Sequence, residues 1–544
     1  MTTTFKHRDL GELKGRVVDG TVQFRGLKYA SLVDRLAPPQ LVTRYGATSI
    51  DASNYGPPPI SPHGAIQREF GFLQHTLPEP EVPTHSDLEG LNLNITLPLG
   101  NDGSINSSTK LPVYVFIHGG GFAVGSSWYP HYSATPLVKL SAEQGKPIIG
   151  VSINYRLGVT GFLTSEELRK AGYKANNGFH DQRIALKWIQ AFIGGFGGDG
   201  EEITVVGESA GGLSVTMLLL SKEPLMKRCL STGGAVLLFK PIPATAAEAS
   251  YQKVIETFGL TDKSPEDRIK ALLSIPVDDL WQKVPMGTPL LPSVDGDTVP
   301  GEPNFVTVAS QEDDPAFVIP GRKWCAALMI GESQLDANIL AWIGLDGRNP
   351  GIAAKFVESV NKTLSLHPEV ASTLLSSYNI TSSTNDDEAL LSILRFASEI
   401  GFYAPALAFA KGWPQTRENK YFLYHFNEGN PWEGRFKGEA GHILDVAFLF
   451  QNFNEFLNDE QKAVARAYAE DFIKFVNGED PWPPVEGGKI GARVYGPSSD
   501  GITAKYVPDG NPKEVGRQEH VLKLGEMVGF DAILRVFENF FQGR

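Results

Sequence analysis

Cysteine is almost absent from this chain: there are two in 544 residues, Cys229 and Cys325. Two cysteines cannot build a disulfide framework, so packing must hold the fold, and their scarcity suits a reducing compartment. Long apolar runs are missing as well. No stretch approaches the ~18 residues that cross a bilayer, "TMLLL" being far too short, and the opening "MTTTFKHRDLGELKG" has no apolar segment of the kind a secretory leader carries. These absences give the expectation of a cytoplasmic protein without a membrane span, in which the N-x-[ST] sequons at Asn94, Asn106, Asn361 and Asn379 carry no sugar. Basic charge is in deficit. The 49 Lys and Arg against 62 Asp and Glu leave a net charge of -13, which argues against nucleic acid as a partner. No H-E-x-x-H and no Cys/His cluster offers a metal site, and no cofactor is expected. No internal repeat or low-complexity linker divides the chain. With 42% hydrophobic content there is ample material for one large core, so residues 1–544 are expected to form a single α/β unit carrying insertions.

Glycine, in contrast, is placed where it is costly. "PVYVFIHGGGFAVGSS" sets Gly119, Gly120 and Gly121 directly after strand-forming residues, and glycine loses more backbone freedom on folding than any other residue. "LPVYVFIHG", "KPIIGVSINYRLG" and "EEITVVGES" each carry a continuous apolar run, which suits strands covered on both faces. "AALMIGES" and "KYFLYHFNEG" read as later strands. "DQRIALKWIQAFIGGFGGD" is an amphipathic helix in which Ile184, Ala185, Trp188, Ile189 and Phe192 recur at helical spacing, with Asp181 expected at its start, where a carboxylate favours the dipole. Residues 463–477 read as a late helix, and the segments 240–290 and 350–415 as helix-rich insertions. Alternating strands and helices predict a mostly parallel sheet.

"ITVVGESAGGLSVT" at 203–216 is a G-x-S-x-G with an apolar strand before it and a helix-capable run after it. That setting marks Ser209 as a nucleophile on a tight strand-to-helix turn. Gly207 and Gly211 flank it because larger side chains would collide there. A serine attacking a carbonyl creates an oxyanion that needs preorganised N–H donors, and the glycine run supplies them beside the N–H of Ala210. His118 reads as a structural residue holding that loop. Serine also needs a base, and the chain order for this arrangement is Ser, then acid, then His. His367, His425, His442 and His520 follow Ser209. His425 lies in a strand-like run and reads as packed, whereas His442 in "GEAGHILDVAFLF" follows a glycine-bearing loop and precedes a new apolar run. "LMIGESQLDANIL" offers Glu332 and Asp336 as acids, and spacing alone does not choose between them. "GFGGDG" at 195–200 fits a dinucleotide fingerprint but follows a helix and precedes a strand, the reverse of the required order, so it reads as a helix-ending turn.

Taken together, these motifs resemble the type-B carboxylesterase family, which includes the cholinesterases and liver-type carboxylesterases. "GTVQFRGLKYA" is similar to that family's F-x-G-I-P-Y-A, "LEGLNLNITLP" to its E-D-C-L-x-L-N, "INYRLGVTGFL" to its N-Y-R-L-G-x-x-G-F-L, and "VVGESAGG" matches its serine box. The resemblance implies an α/β-hydrolase fold with helical insertions over the site. It places the acid at Asp336, by matching "GESQLDAN" to G-x-x-x-D-E-G, and the base at His442, by matching "HILD" to H-x-x-E. The oxyanion donors then fall on Gly120, Gly121 and Ala210, and Arg156 with Asp181 on a structural ion pair. Two departures matter. Gly90 stands where the family's early disulfide needs cysteine, and no tryptophan stands near Pro80, where cholinesterases cradle quaternary ammonium. "VPMGTPLL", before "PSVDGD", lacks an aromatic ring to narrow the acyl side. The expectation is a serine hydrolase acting on a neutral, fairly bulky ester or lactone, with Phe122, Trp128, Tyr129 and Leu290 walling the pocket or packing the core. Acyl transfer through the same acyl-enzyme, or an inactive cholinesterase-like binding protein, are the alternatives.

Overall fold

The apolar runs become strands because both of their faces are covered. In Leu111–Ile117, Val113, Val115 and Ile117 enter one hydrophobic layer while Tyr114 and Phe116 enter the other, all fully buried. The structure, a computed structural model, describes residues 1–543 except Ala47, Asn101, Met286, Asp313, Pro315 and Ala316. Met286, in the expected acyl-side loop, therefore lies outside the described residues.

Seven strands run parallel through the centre of one sheet. In spatial order they are Ile149–Ile153, Leu111–Ile117, Gly198–Glu208, Arg228–Thr232, Ala327–Ser333, Lys420–Phe426 and Ala492–Tyr495. Antiparallel strands extend it on both sides: Thr2–His7, Gly11–Val18, Thr21–Lys28 and Asn92–Pro98 on one, Ala504–Val507 on the other. The outermost N-terminal strand, Thr2–His7, alternates exposed and buried residues toward its end, as a half-covered antiparallel edge should.

One layer is filled by the helices Asn177–Phe192 and Ala210–Leu218, through Leu186, Trp188, Ile189, Leu213 and Val215. The other is filled by Thr135–Glu143 and Asp459–Val476, through Leu137, Val138, Val464, Tyr468 and Phe472. The latter helix begins in a capping box, Asn458 and Gln461 each accepting the other's backbone N–H. Helices at Ala244–Thr257, Pro265–Ser274 and Val277–Gln282 form one insertion around a separate small cluster that includes Tyr251, Val254 and Leu272. A second insertion contains Ile352–Thr363, Pro368–Ser377 and the stretch Asp386–Gly412. That last stretch is long and apolar enough to cross a membrane by length and composition, but 78% of its most apolar window is buried inside the fold. Packing accounts for its apolarity. Cys229 and Cys325 are buried free thiols with sulfurs 3.6 Å apart.

One expectation needs adjusting and another holds. The helix holding Asp181 begins four residues earlier, at Asn177, after Asn176 turns the chain through a left-handed conformation. Asp181 is therefore in the second turn and serves Arg156 instead of the dipole. It accepts Arg156 N–H at 3.0 Å, Nε at 2.8 Å and Nη2 at 2.7 Å, all buried. "GFGGDG" spans the end of a 3-10 turn, Gly197 with φ +88°, and the start of the next strand, as a helix-ending turn does.

Candidate active site

The carboxyl ends of the central strands meet where the strand order reverses around Leu111–Ile117, the place where open α/β sheets gather ligands. Ile117 and Ser231 flank Gly207 in register, so the loops beginning at His118, Ser209 and Gly233 lie side by side.

Ser209 has φ +55° and ψ -120°, a conformation costly for any residue with a side chain. What holds it is the close approach on each side. A Cβ on Gly207 would strike the Gly211 backbone, and one on Gly211 would strike the Ile117 carbonyl. The Ser209 N–H donates to the Thr232 carbonyl at 3.0 Å, and the helix Ala210–Leu218 starts directly behind it. The hydroxyl-bearing residue remains half-buried.

The glycine run passes directly over this elbow. A Cβ on Gly119 would lie 2.8 Å from Ser209 Cβ and would collide with the Glu208 carboxylate, so only glycine fits. Gly120 and Gly121 take φ of +96° and +61°, and Gly121 borders open space. Among the described residues no acceptor takes the N–H of Gly120, Gly121 or Ala210. His118 is buried, stacks on Tyr155 with ring centroids 4.6 Å apart and places Nδ1 2.9 Å from the Gly119 carbonyl. Burial lowers its pKa to about 4, so the ring is neutral and donates.

The acid loop and the histidine loop are zipped together. The Leu335 N–H donates to the Ala440 carbonyl at 2.8 Å, and the His442 N–H donates to Asn338 Oδ1 at 2.9 Å. Asp336 Oδ1 then meets His442 Nδ1 at 2.6 Å, while its Oδ2 accepts the Ser333 N–H at 2.7 Å. Gly233 backs this pair, since a Cβ there would be 3.2 Å from His442 Cε1, and Phe402 meets the imidazole edge-on. The other ring nitrogen, Nε2, is 3.4 Å from Oε1 of Glu208, the residue before the serine. Burial opposes the imidazolium, but the Asp336 hydrogen bond and charge, with the charges of Glu208 and Asp445 whenever these are ionised, outweigh it and raise His442 above its ordinary value. Burial also raises Asp336 above the usual carboxylate range despite its two donors.

A ring of further buried carboxylates surrounds this centre. Burial pushes Glu208 up to about 8, with Glu69, Asp445 and Asp336 adding to it against the opposing charge of His442. Asp445 is raised to about 6 by burial and by Asp336, and is held by Thr232 Oγ1, by Tyr424 Oη at 2.8 Å and by its own neighbour's N–H from Val446.

The remaining candidates separate cleanly. Glu332 turns away from His442 and accepts from Arg517 Nε at 2.8 Å and His425 Nδ1 at 2.6 Å, making a buried ion cluster with His425 as a packed member. His367 is exposed, and His520 rests edge-on against Tyr378. Phe122 is buried in the core against Phe162 and Phe179. Trp128 and Tyr129 belong to the opposite layer and line a cleft of about 200 Å³ with Ser126, Ile66 and Val82. Leu290 packs against the Tyr251 cluster of the first insertion. Sequence reasoning missed Glu208, although it stands inside the serine box, and used Asp445 only as a marker for His442. Glu69 had no signal at all, because its partners are 62 and 63 residues away.

Known proteins resemble this chain over most of its length. The family model described as the carboxylesterase family matches residues 2–498. Lipase 4 of Diutina rugosa is 29% identical over 471 residues, 81% of this chain and 78% of that protein. Para-nitrobenzyl esterase of Bacillus subtilis (strain 168) is 27% identical over 522 residues, 89% of this chain and 93% of that protein. A solved structure of PNB esterase superimposes with a TM-score of 0.73 at 22% identity, covering 94% of this chain and 98% of its own, and shares the α/β-hydrolase fold.

Proposed function

This chain belongs to the carboxylesterase family and is an ester hydrolase, and from that premise we propose a serine mechanism with Ser209 as nucleophile, His442 as general base and Asp336 as the acid that orients it. The observation that carries this reading is the 2.6 Å contact between Asp336 Oδ1 and His442 Nδ1, on a histidine whose Nε2 lies 3.4 Å from Oε1 of Glu208, the residue before Ser209.

Ser209 Oγ attacks the ester carbonyl and passes its proton to His442 Nε2, while Asp336 accepts the hydrogen bond from Nδ1–H and stabilises the imidazolium. The carbonyl oxygen, now negative, is received by the N–H groups of Gly120, Gly121 and Ala210, each worth roughly 3–4 kcal/mol in the transition state. The alcohol departs with the proton from His442. Water then attacks the acylated serine, His442 takes its proton, and the same donors receive the second oxyanion. One relative is named for para-nitrobenzyl esters, which carry an aromatic group on one side of the ester. That supports a neutral, fairly bulky ester as substrate.

Incubation with a fluorophosphonate followed by intact-mass measurement tests the mechanism. One adduct per chain is expected on the wild type and none on Ser209→Ala. A folded wild type that takes no adduct would remove Ser209 from the mechanism.

A further inference from the structure

Tyr132 has one hydroxyl hydrogen and two carboxylates within reach. Its hydroxyl donates to Glu69 Oε1 and lies 3.3 Å from Glu208 Oε2. Glu69 also receives His131 Nε2–H at 2.9 Å. All four side chains are buried. A single phenolic hydrogen cannot serve two ionised carboxylates, and two unshared negative charges on either side of a buried hydroxyl would repel. The arrangement closes only if one carboxyl carries a proton. Glu69 has two donors, so it is the ionised one. Glu208 is left as the acid that donates to Tyr132 Oη, and its Oε1 has no hydrogen-bond partner.

That Oε1 is the atom 3.4 Å from His442 Nε2, the nitrogen that must present a lone pair to Ser209. An ionised carboxylate there would hold the imidazole in its charged form. Resting on the assignment of His442 as the base, we propose that Glu69 is a positioning residue that acts through Tyr132 to keep a proton on Glu208 and so leaves Nε2 of His442 free to take the proton of Ser209.

The electrostatics point the same way. Burial works against an ionised Glu69, yet His131 and Tyr132 hold it below the usual carboxylate range, while Glu208 is pushed up to about 8. The groups facing Glu208 and His442 come from every neighbouring element: Glu69, Tyr132, Tyr155, Asp336 and Asp445, with each other as the sixth partner. The carboxylates among them disfavour a second negative charge at Glu208. Without the charge of Glu69, and with the Tyr132 hydrogen free to turn toward Glu208, that carboxyl ionises earlier and drags the base upward.

The test is the pH dependence of kcat/KM on a neutral ester for the wild type, Glu69→Gln, Glu208→Gln and the double variant, each normalised to sites titrated by fluorophosphonate. Glu69→Gln is expected to move the base limb up by about one pH unit, a loss of about tenfold on its acid side. In the double variant the limb returns to within about 0.3 unit of wild type, because glutamine mimics the protonated acid, and Glu208→Gln alone leaves it in place. Loss of titratable sites in Glu69→Gln with an unmoved limb would reduce Glu69 to a structural role and overturn the proposal. So would a downward shift of about one unit in Glu208→Gln, which would mean an ionised Glu208 in the wild type. Should Glu69→Gln fail to fold, the Glu208→Gln profile decides. A wild type that does not titrate sinks the serine mechanism itself and this proposal with it.

Discussion

Replacing Asp336 with asparagine leaves the shape of the site and removes its logic. Asp336 accepts on both oxygens, from His442 Nδ1–H at 2.6 Å and from the Ser333 N–H at 2.7 Å. Asparagine has one acceptor oxygen. If that oxygen keeps the Ser333 bond, its amide faces Nδ1 and forces the hydrogen of a neutral ring onto Nε2, where it blocks proton transfer from Ser209. If it faces the ring instead, two N–H groups oppose each other in a buried site, at a cost of about 1–3 kcal/mol. The first arrangement should win. The expected outcome is a loss of about 10⁴ in kcat, or about 5.5 kcal/mol of transition-state stabilisation, with KM within about threefold of wild type. Steady-state kinetics on para-nitrophenyl esters, normalised to titrated sites, measures this. Glu332→Gln is the companion: it breaks a buried ion cluster with Arg517, so it should lower thermal stability by about 3–5 kcal/mol while the titratable sites keep their turnover. An Asp336→Asn enzyme within about tenfold of wild-type kcat would refute the argument, and a Glu332→Gln enzyme that folds but does not turn over would transfer the role.

Gly121→Ala is expected to cost about 1 kcal/mol of stability for its φ of +61° and about 10²-fold in kcat as the N–H is displaced, because open space receives the methyl group. Gly120→Ala, whose Cβ would meet the Val124 carbonyl, should instead lower the melting temperature sharply, and calorimetry separates the two. Stability should also fall as pH rises. Glu208 and Glu399, both raised chiefly by burial, to about 8 and about 7, keep a proton in the folded state that the unfolded chain has released above the ordinary glutamate value of 4.5. The folded state therefore holds an extra proton on Glu399 from 4.5 to about 7 and on Glu208 from 4.5 to about 8, and stability declines across each window by up to about 1.4 kcal/mol per pH unit per group. A melting temperature that rises from pH 5 to pH 8 would contradict these assignments, and Glu208→Gln should flatten the slope.

The chain advertises what is local and hides what is not. Five of the seven central strands were legible because each carries its own apolar run, whereas the short Arg228–Thr232 and Ala492–Tyr495 were not; the serine elbow was legible because glycine, serine and glycine must sit at fixed offsets on one turn. The N-terminal strands were not, since "TTTFKH" and "GELKGRVV" are half polar and become strands only by pairing with each other and with Thr21–Lys28. Asp181 read within its own segment as a dipole partner, and only the family resemblance pointed to the ion pair it makes with Arg156, 25 residues away. The choice between Glu332 and Asp336 could not be made from spacing because both stand at one strand end. What separates them is which histidine each meets, and both histidines come from about a hundred residues further on. The Glu69, Tyr132 and Glu208 chain was the least visible of all, because nothing within any one segment hints that a helix, a loop and a strand end share a hydrogen.

The strand order described above also sets a timetable for synthesis. The oxyanion loop and Ser209 lie on strands whose neighbours leave the ribosome early, whereas Asp336 and His442 are 106 residues apart and meet only after Lys420–Phe426 has docked beside Ala327–Ser333. At ~5–20 residues per second, the interval between emergence of the nucleophile and of its base is on the order of tens of seconds. Throughout it the nascent chain carries a serine that nothing deprotonates. On the proposed mechanism, esterase activity cannot arise before His442 has joined Asp336, late in translation, and a chain arrested earlier would not acylate itself on esters.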